Sequence, residues 1–147
     1  MNRFVWVVWV VWLGLASLSL SAEEADETGF FSDAELEQIL APIALYPDSL
    51  LTHILIAATY PLEVIQASRW AGEHSDLEAG DALEQVEDLS WDPSVKALVP
   101  FPGVLERLND DLDWMQTLGE AFIQNEERLL AAIQSLRHKA EMEGNLD

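Results

Sequence analysis

Carboxylates are the most abundant groups in this sequence that could do chemistry. The 147 residues hold 27 Asp and Glu against seven Lys and Arg, a formal net charge of −20. Two carboxyl groups across a glycosidic bond can hydrolyse it, one as the acid and the other as the base or nucleophile. So many acids produce pairs at any spacing by chance, and the sequence singles none out. A carboxylate-dependent hydrolase is therefore kept as an alternative function.

Histidine and serine give no catalytic pattern. His53, His74 and His138 are isolated in the sequence, with no HExxH motif and no pair at i and i+4. Ser49 falls in the first turn of a predicted helix, where capping explains it, and no GxSxG motif surrounds it. We therefore predict no catalytic residue, no metal and no cofactor.

One segment has the spacing of a calcium-binding loop. Asn109, Asp111, Asp113 and Glu120 match positions 1, 3, 5 and 12 of an EF-hand. The sixth position of such a loop needs glycine for its sharp turn, but here it is Trp114. The start of a helix is the better interpretation of this segment.

Three tryptophans follow the N-terminal apolar segment, and each stands beside a charge or a turn. Trp and Arg often anchor interfaces, so an aromatic-lined binding groove is one interpretation. Packing of the rings at helix ends is the other, and it is the one that we favour. The residues of this candidate surface are Arg69, Trp70, Trp91, Asp92, Pro93 and Trp114.

Prolines interrupt the apolar stretch from Leu40 to Trp70. Because proline has no amide hydrogen, it breaks a helix interior but suits the first helical position. Three prolines follow an aromatic residue and precede apolar residues at helical spacing, in the pairs Tyr46-Pro47, Tyr60-Pro61 and Phe101-Pro102. We predict a corner at each pair, where one helix ends, the next begins and the aromatic ring enters the core. The Tyr-Pro pairs are also candidate interface residues.

Caps and apolar periodicity predict the remaining helices. Ser32 and Glu35 match a capping box, which opens a helix that ends near Ala41. Shorter helices are predicted over residues 81–88 and 93–98, the second with Asp92 or Ser94 as its cap. From about Asp110 to Met142, apolar residues recur at helical spacing, with acids at the start and bases near the end. That pattern predicts one helix about 50 Å long, which either projects from the domain or kinks near Gly119.

The predicted fold class is therefore all-α. It is a compact bundle of short helices joined at aromatic–Pro corners, plus a long C-terminal helix. The expected organisation is a signal peptide over residues 1–22, an acidic leader over 23–31 and a single helical domain over 32–147.

The first 22 residues have the layout of a secretory signal peptide. Arg3 is followed by an uncharged apolar run to Leu20, and small residues stand at Ser21 and Ala22. We expect cleavage there and a periplasmic or secreted protein. An uncleaved N-terminal membrane anchor is the alternative.

Charge and the absence of cysteine narrow the classes of partner. Without residues 1–22, six basic and 27 acidic residues remain, a net charge of −21. Phosphate backbones and anionic lipid surfaces repel such a chain, so nucleic acid is excluded and a membrane is a partner only if the N-terminal segment is retained. With no cysteine, the chain can form neither a lipoprotein anchor nor a disulfide.

Two blocks of the sequence resemble a known family. They read LAPIALYPDSLLTHILIAATYPLEVIQASRW and WDPSVKALVPFPGVLERLNDDLDWMQTLGEAFIQ. They are similar to the bacterial family known as domain of unknown function 3300, whose members read close to APIALYPD-LL, AATYPLEV, WDPSVKAL and DLDW-LG-AF. The resemblance covers about Leu36 to Arg137. It implies an exported envelope protein with a helical domain, and it supplies no activity.

Together, these observations predict an exported, non-enzymatic helical module that binds or supports an envelope protein or a wall component. The alternative is a carboxylate-dependent hydrolase that acts on cell-envelope polymers.

Overall fold

The computed structural model describes residues 30–144, and within them it contains eight α-helices and no strand. The all-α prediction is confirmed. The predicted signal peptide and residues 23–29 of the acidic leader lie outside the described residues. The helices are α1 (Asp33–Leu40), α2 (Asp48–Ala57), α3 (Pro61–Glu73), α4 (Ala79–Val86), α5 (Pro93–Ala97), α6 (Pro102–Asp110), α7 (Leu112–Gln124) and α8 (Glu126–Met142).

The capping box at the start of α1 is present as predicted. The Ser32 hydroxyl accepts the Glu35 amide at 3.1 Å, and the Glu35 carboxylate accepts the Ser32 amide at 3.1 Å. Two amides that a helix start would otherwise leave unpaired are thereby satisfied. The inward face of α1 carries the buried Leu36 and Leu40.

The aromatic–proline corners are also confirmed as helix boundaries. Pro61 and Pro102 stand at the start of α3 and α6, and the preceding Tyr60 and Phe101 are N-caps with nearly the same backbone angles (φ −124°, ψ 60° and φ −120°, ψ 67°). Pro47 differs, because it is itself the N-cap of α2. An aromatic–proline pair thus lies at the start of a helix at all three places.

The predicted position of the rings is wrong at two of the three corners. Tyr60 and Phe101 are 42% and 45% exposed, whereas Tyr46 is half-buried and packs against the core. The Tyr60 amide donates to the Ala57 carbonyl at 2.8 Å, and the Tyr60 carbonyl accepts the Val64 amide at 3.1 Å. Backbone hydrogen bonds therefore fix this corner, and the ring is not needed inside.

The core surrounds α2, the helix that is apolar almost all round. It packs against α3, α5 and α7, and Ile54 is fully buried. A second, smaller cluster consists of Ala82, Val86 and Val99. Trp70 and Trp91 pack against both clusters, which joins α4 to the main core.

The long C-terminal helix that the sequence predicts over residues 110–142 is two helices. The chain breaks at Asn125 (φ −161°, ψ 88°), whose side chain accepts the Arg128 amide at 3.0 Å as the N-cap of α8. This break allows α8 to pack along α1 and α7, so it does not continue the line of α7. The periodicity gave a wrong prediction because each helix has its own apolar stripe. The helix direction changes at the single residue Asn125, which the periodicity does not reveal.

Within residues 30–144, no single helix combines the length and apolarity needed to cross a bilayer. Only α2 and α3 taken together meet those two criteria, and a bend of 116° separates them.

Gly119 does not kink α7; it allows a close approach between helices. A Cβ at Gly119 would lie 2.5 Å from the Ala58 carbonyl oxygen and 2.9 Å from its carbonyl carbon. Real side chains do not tolerate such distances to backbone atoms. The glycine therefore sets the separation between α7 and the end of α2.

We predict that Gly119→Ala destabilises the fold by about 1–3 kcal/mol, because the added methyl group overpacks a contact with rigid backbone. Urea unfolding followed by circular dichroism measures the change. The matched control is Gly80→Ala in α4, where a Cβ meets nothing within 4 Å. That variant should gain about 0.5–1 kcal/mol from helix propensity. Equal stability of Gly119→Ala and wild type would contradict the packing role.

Candidate functional site

The sequence-predicted site residues fall in several places rather than in one pocket. The starts of α3 and α5 carry Tyr60, Pro61, Trp91, Asp92 and Pro93. The connection between α1 and α2 carries Tyr46 and Pro47, the second half of α3 carries Arg69 and Trp70, and the first turn of α7 carries Trp114. The structure thus brings together the YP of α3 and the WDP of α5, and it leaves the others apart.

Two side-chain hydrogen bonds join α3 to the turn before α5. The Trp91 indole N–H donates to Gln66 Oε1 at 3.1 Å, and the Asp92 amide donates to Glu63 Oε2 at 2.9 Å. Both acceptors are on α3, one turn apart. They hold the WDP turn against α3 across a separation of 25 to 29 residues.

Asp92 is the N-cap of α5, as the sequence predicts. Its carboxylate accepts hydrogen bonds from both the hydroxyl and the amide of Ser94, the latter at 2.9 Å. The Ser94 hydroxyl is the main cause that lowers the pKa of Asp92. The Ser94 amide and the Tyr60 hydroxyl lower it further, and partial burial opposes them. Asp92 is therefore held as an anion.

Glu63 and Asp92 place two carboxylates at this junction, and the Glu63 carboxylate accepts the backbone amide of Asp92. A glycosidase acid must keep its proton near neutral pH, which requires a raised pKa. The lowered pKa of Asp92 is the opposite arrangement. These two groups therefore serve as hydrogen-bond acceptors that position the helices.

Arg137 of α8 binds the connection between α1 and α2. Its guanidinium donates to the Ala44 carbonyl at 2.8 Å and the Tyr46 carbonyl at 2.7 Å, and it pairs with the Asp48 carboxylate. The sequence assigned Arg137 only to the dipole of a helix end. Its carbonyl partners lie 91 to 93 residues away, and no sequence pattern identifies them.

Trp114 and the calcium-like segment have structural roles. The Trp114 indole donates to the Ile39 carbonyl at 2.8 Å, which ties α7 to α1. Asp111 accepts the Trp114 amide at 3.0 Å and so caps α7. Across residues 30–144, no group of three or more His, Asp and Glu side chains is placed to hold a metal ion.

Arg69 and Trp70 lie beside two adjoining depressions on one side of the molecule. The first is a groove of about 430 Å³ between α3 and α6, lined by Ile65, Ser68, Arg69, Ala71, Gly72, Pro102, Glu106, Asn109 and Asp110. The second is a cavity of about 210 Å³ beside Trp70 and His74, whose rings are stacked at 4.1 Å. Sequence reasoning identified Arg69 and Trp70 but missed the polar residues of α6.

A third depression, between α1 and α8, is closed by its own ion pairs. Its volume is about 250 Å³, and Glu37 within it pairs with Lys139 at 2.7 Å and accepts the Ser135 hydroxyl at 3.0 Å. The hydrogen bonds from Lys139 and Ser135 lower the pKa of Glu37. Arg128 pairs with Asp33 at 2.8 Å in the same depression. These charges join the two helices.

Comparison with known proteins identifies a family and a relative whose descriptions name no activity. The family described as "Protein of unknown function (DUF3300)" matches residues 32–147. The chain is 40% identical over 116 residues to "Uncharacterized protein YacH" of Escherichia coli (strain K12). The match covers 79% of this chain but 19% of YacH, so the chain spans about a fifth of the length of that relative. No solved structure matches.

The Arg137 contacts generate a prediction about stability. We expect Arg137→Lys to lower the free energy of unfolding by about 1–3 kcal/mol, because lysine cannot replace the guanidinium fork and part-buried carbonyls lose their donor. Thermal and urea unfolding measure the loss. Arg107→Lys on α6 is the control, since Arg107 is exposed and makes no ion pair within residues 30–144. If Arg137→Lys were as stable as Arg107→Lys, water would satisfy the carbonyls of this connection equally well, and the prediction would be contradicted.

The Asp92 cap generates a prediction about pH. The pKa of Asp92 in the folded state lies below the ordinary value of 3.8, so the stabilisation by its charge is present above that value. It is lost as the pH falls through the folded-state pKa. Asp92→Asn keeps a capping side chain and removes the charge. The difference in unfolding free energy between wild type and Asp92→Asn should be constant near neutral pH and should narrow below about pH 4. A difference that does not change in acid would contradict the role of the charge.

Proposed function

The chain belongs to the family Protein of unknown function (DUF3300), and we propose that it is an exported, non-enzymatic helical binding module of the bacterial cell envelope. One observation carries the non-enzymatic part. Three hydrogen-bonding side chains of the blocks that mark the family hold neighbouring helices or a helix start in place. Trp91, Asp92 and Trp114 bind Gln66, Ser94 and the Ile39 carbonyl, respectively. Groups used in this way stabilise a scaffold.

The binding part is supported by the surface that this scaffold leaves available. The groove between α3 and α6 combines Arg69 with Glu106, Asn109 and Asp110, so it offers a cation, two carboxylates and an amide. None of these four makes an ion pair within residues 30–144. This chain spans about a fifth of the length of YacH, so YacH also contains other regions. That is consistent with the matching part of YacH being a binding module within a larger protein.

The envelope location is supported by the N-terminal residues. A single basic residue, an apolar run and small residues precede the acidic start of the remaining chain. The remaining chain has a net charge of −21, and anionic lipid surfaces repel such a chain. This charge suits an envelope component that is not bound to the membrane surface.

Export is tested by expressing the full chain in a bacterial host and fractionating the cells. We expect the protein in the periplasmic or secreted fraction, with a new N-terminus at Ala22 or Glu23 by mass spectrometry. Arg3→Glu should reduce processing, because export signals need a basic start. An intact N-terminus at Met1 in a membrane fraction would replace the secreted module with a tethered one.

Binding and hydrolysis are separated by two measurements on the same preparation. Crosslinking in living cells, followed by affinity purification, should recover one dominant envelope component. Isolated cell walls incubated with the protein should release muropeptides no faster than walls alone. Release that a single Asp or Glu substitution abolishes would overturn the proposal and establish the hydrolase.

A further inference from the structure

The groove between α3 and α6 and the cavity beside Trp70 adjoin each other, and together they are called the depression below. Both are lined by Ala71 and Pro102, which form the boundary between them. Their volumes, about 430 and 210 Å³, together fall in the range of roughly 300–1,000 Å³ that small-ligand sites occupy. The two halves differ in chemistry, and this difference limits what can bind.

The groove half contains charges of both signs. Arg69 contributes a guanidinium, and Glu106 and Asp110 of α6 contribute carboxylates. Arg69 differs from the basic residues of α8, since Arg128, Arg137 and Lys139 all pair with acids of α1 or α2. Within residues 30–144 Arg69 makes no ion pair, so its fork of donors is available for a carboxylate.

The cavity half contains aromatic and apolar side chains together with the polar Ser75. The Trp70 and His74 rings are stacked at 4.1 Å and 15°, and His74 Nδ1 lies 2.7 Å from the Trp70 carbonyl. Leu77, Val99 and Pro100 complete the lining. This half offers an apolar side chain a place to bury its surface.

Gly72 is one of the residues that line the groove. It lies within α3, where glycine costs about 1 kcal/mol relative to alanine. A Cβ at this position would meet nothing within 4 Å, so packing against the rest of the described chain does not require glycine. Because Gly72 lines the groove, a larger side chain here would occupy open space at the groove.

We propose that this depression binds a short peptide by its free ends. The ammonium group lies against Glu106 and Asp110, the terminal carboxylate binds Arg69, and an apolar side chain enters the cavity beside Trp70 and His74. The proposal deepens the binding function proposed above and rests on it. Such peptides come from two sources: cell-wall fragments, which carry D-residues, and protein fragments, which do not.

The test uses isothermal titration of the full chain with two probes, L-alanyl-L-leucyl-L-alanine and its diastereomer L-alanyl-D-leucyl-D-alanine. We expect saturable binding of at least one. Acetylating its amine or amidating its carboxylate should weaken binding about tenfold or more, which corresponds to about 1.4 kcal/mol. The stereochemistry of the tighter probe identifies the source. No binding of either probe, or equal binding of the blocked peptides, overturns the proposal.

Two pairs of variants locate the site. Gly72→Leu should abolish binding, whereas Gly80→Leu in α4, which is equally open, should not. Arg69→Gln should weaken binding about tenfold, whereas Arg107→Gln should leave it unchanged. Unfolding curves of all four variants show whether each is folded. Equal effects within either pair of folded variants would overturn the assignment.

The outcome is distinguishable from failure of the proposed function. If neither peptide binds while crosslinking still recovers an envelope partner, the groove proposal fails and the binding module remains. If Gly72→Leu loses both the peptide and the partner, one site accounts for both.

Discussion

The connection between α1 and α2 is the constraint on which the arrangement of the C-terminal half depends. Residues 41–47 are not α-helical, so some of their carbonyls need donors from elsewhere. Arg137 supplies them to Ala44 and Tyr46 and also neutralises Asp48. The exposed ion pair contributes little by itself, because solvent screens it. The bonds to carbonyls matter more, since they are part-buried and fix where α8 lies. Because α8 must reach this connection, the chain turns at Asn125 and α8 packs along α1.

The rest of the bundle follows from the short lengths of its helices. Helices of five to 17 residues cannot be stable alone, so each depends on the surface that it buries against neighbours. The aromatic–proline corners orient successive helices, and the central, nearly all-apolar α2 provides the surface that they share. Where two helices approach closely, the residue at the contact has no side chain, as at Gly119. The main core and the small cluster beneath α4 are joined by two large rings, because Trp70 and Trp91 pack against both.

Local rules predicted the features that local residues control. The capping box of Ser32, the cap of Asp92 and the helix starts at Pro61 and Pro102 depend on residues within one turn, and the structure has them all. The rings of Tyr60 and Phe101 could not be placed in this way, because their exposure depends on which helices cover each corner. The break at Asn125 was missed for a related reason. Periodicity records that two segments are amphipathic, and it does not record whether they share one axis.

For the candidate site, the sequence singled out Arg69, Trp70, Trp91 and Asp92. The groove residues Glu106 and Asp110 and the hydrogen-bond partners Glu63 and Gln66 could be identified only from the fold.

The distribution of charge makes the groove between α3 and α6 distinctive. Three of the six basic residues that remain after residue 22 lie on α8 and are used to join it to α1 and α2. Most of the remaining surface is acidic, so its long-range field repels any ligand with net negative charge. On approach to Arg69, a carboxylate is repelled less if the molecule that carries it also carries a compensating positive charge. Glu106 and Asp110 are placed in the same groove to bind that charge. On the proposal made above, the acidic surface therefore disfavours ligands of net negative charge, and the groove favours ligands that are neutral overall but charged at both ends.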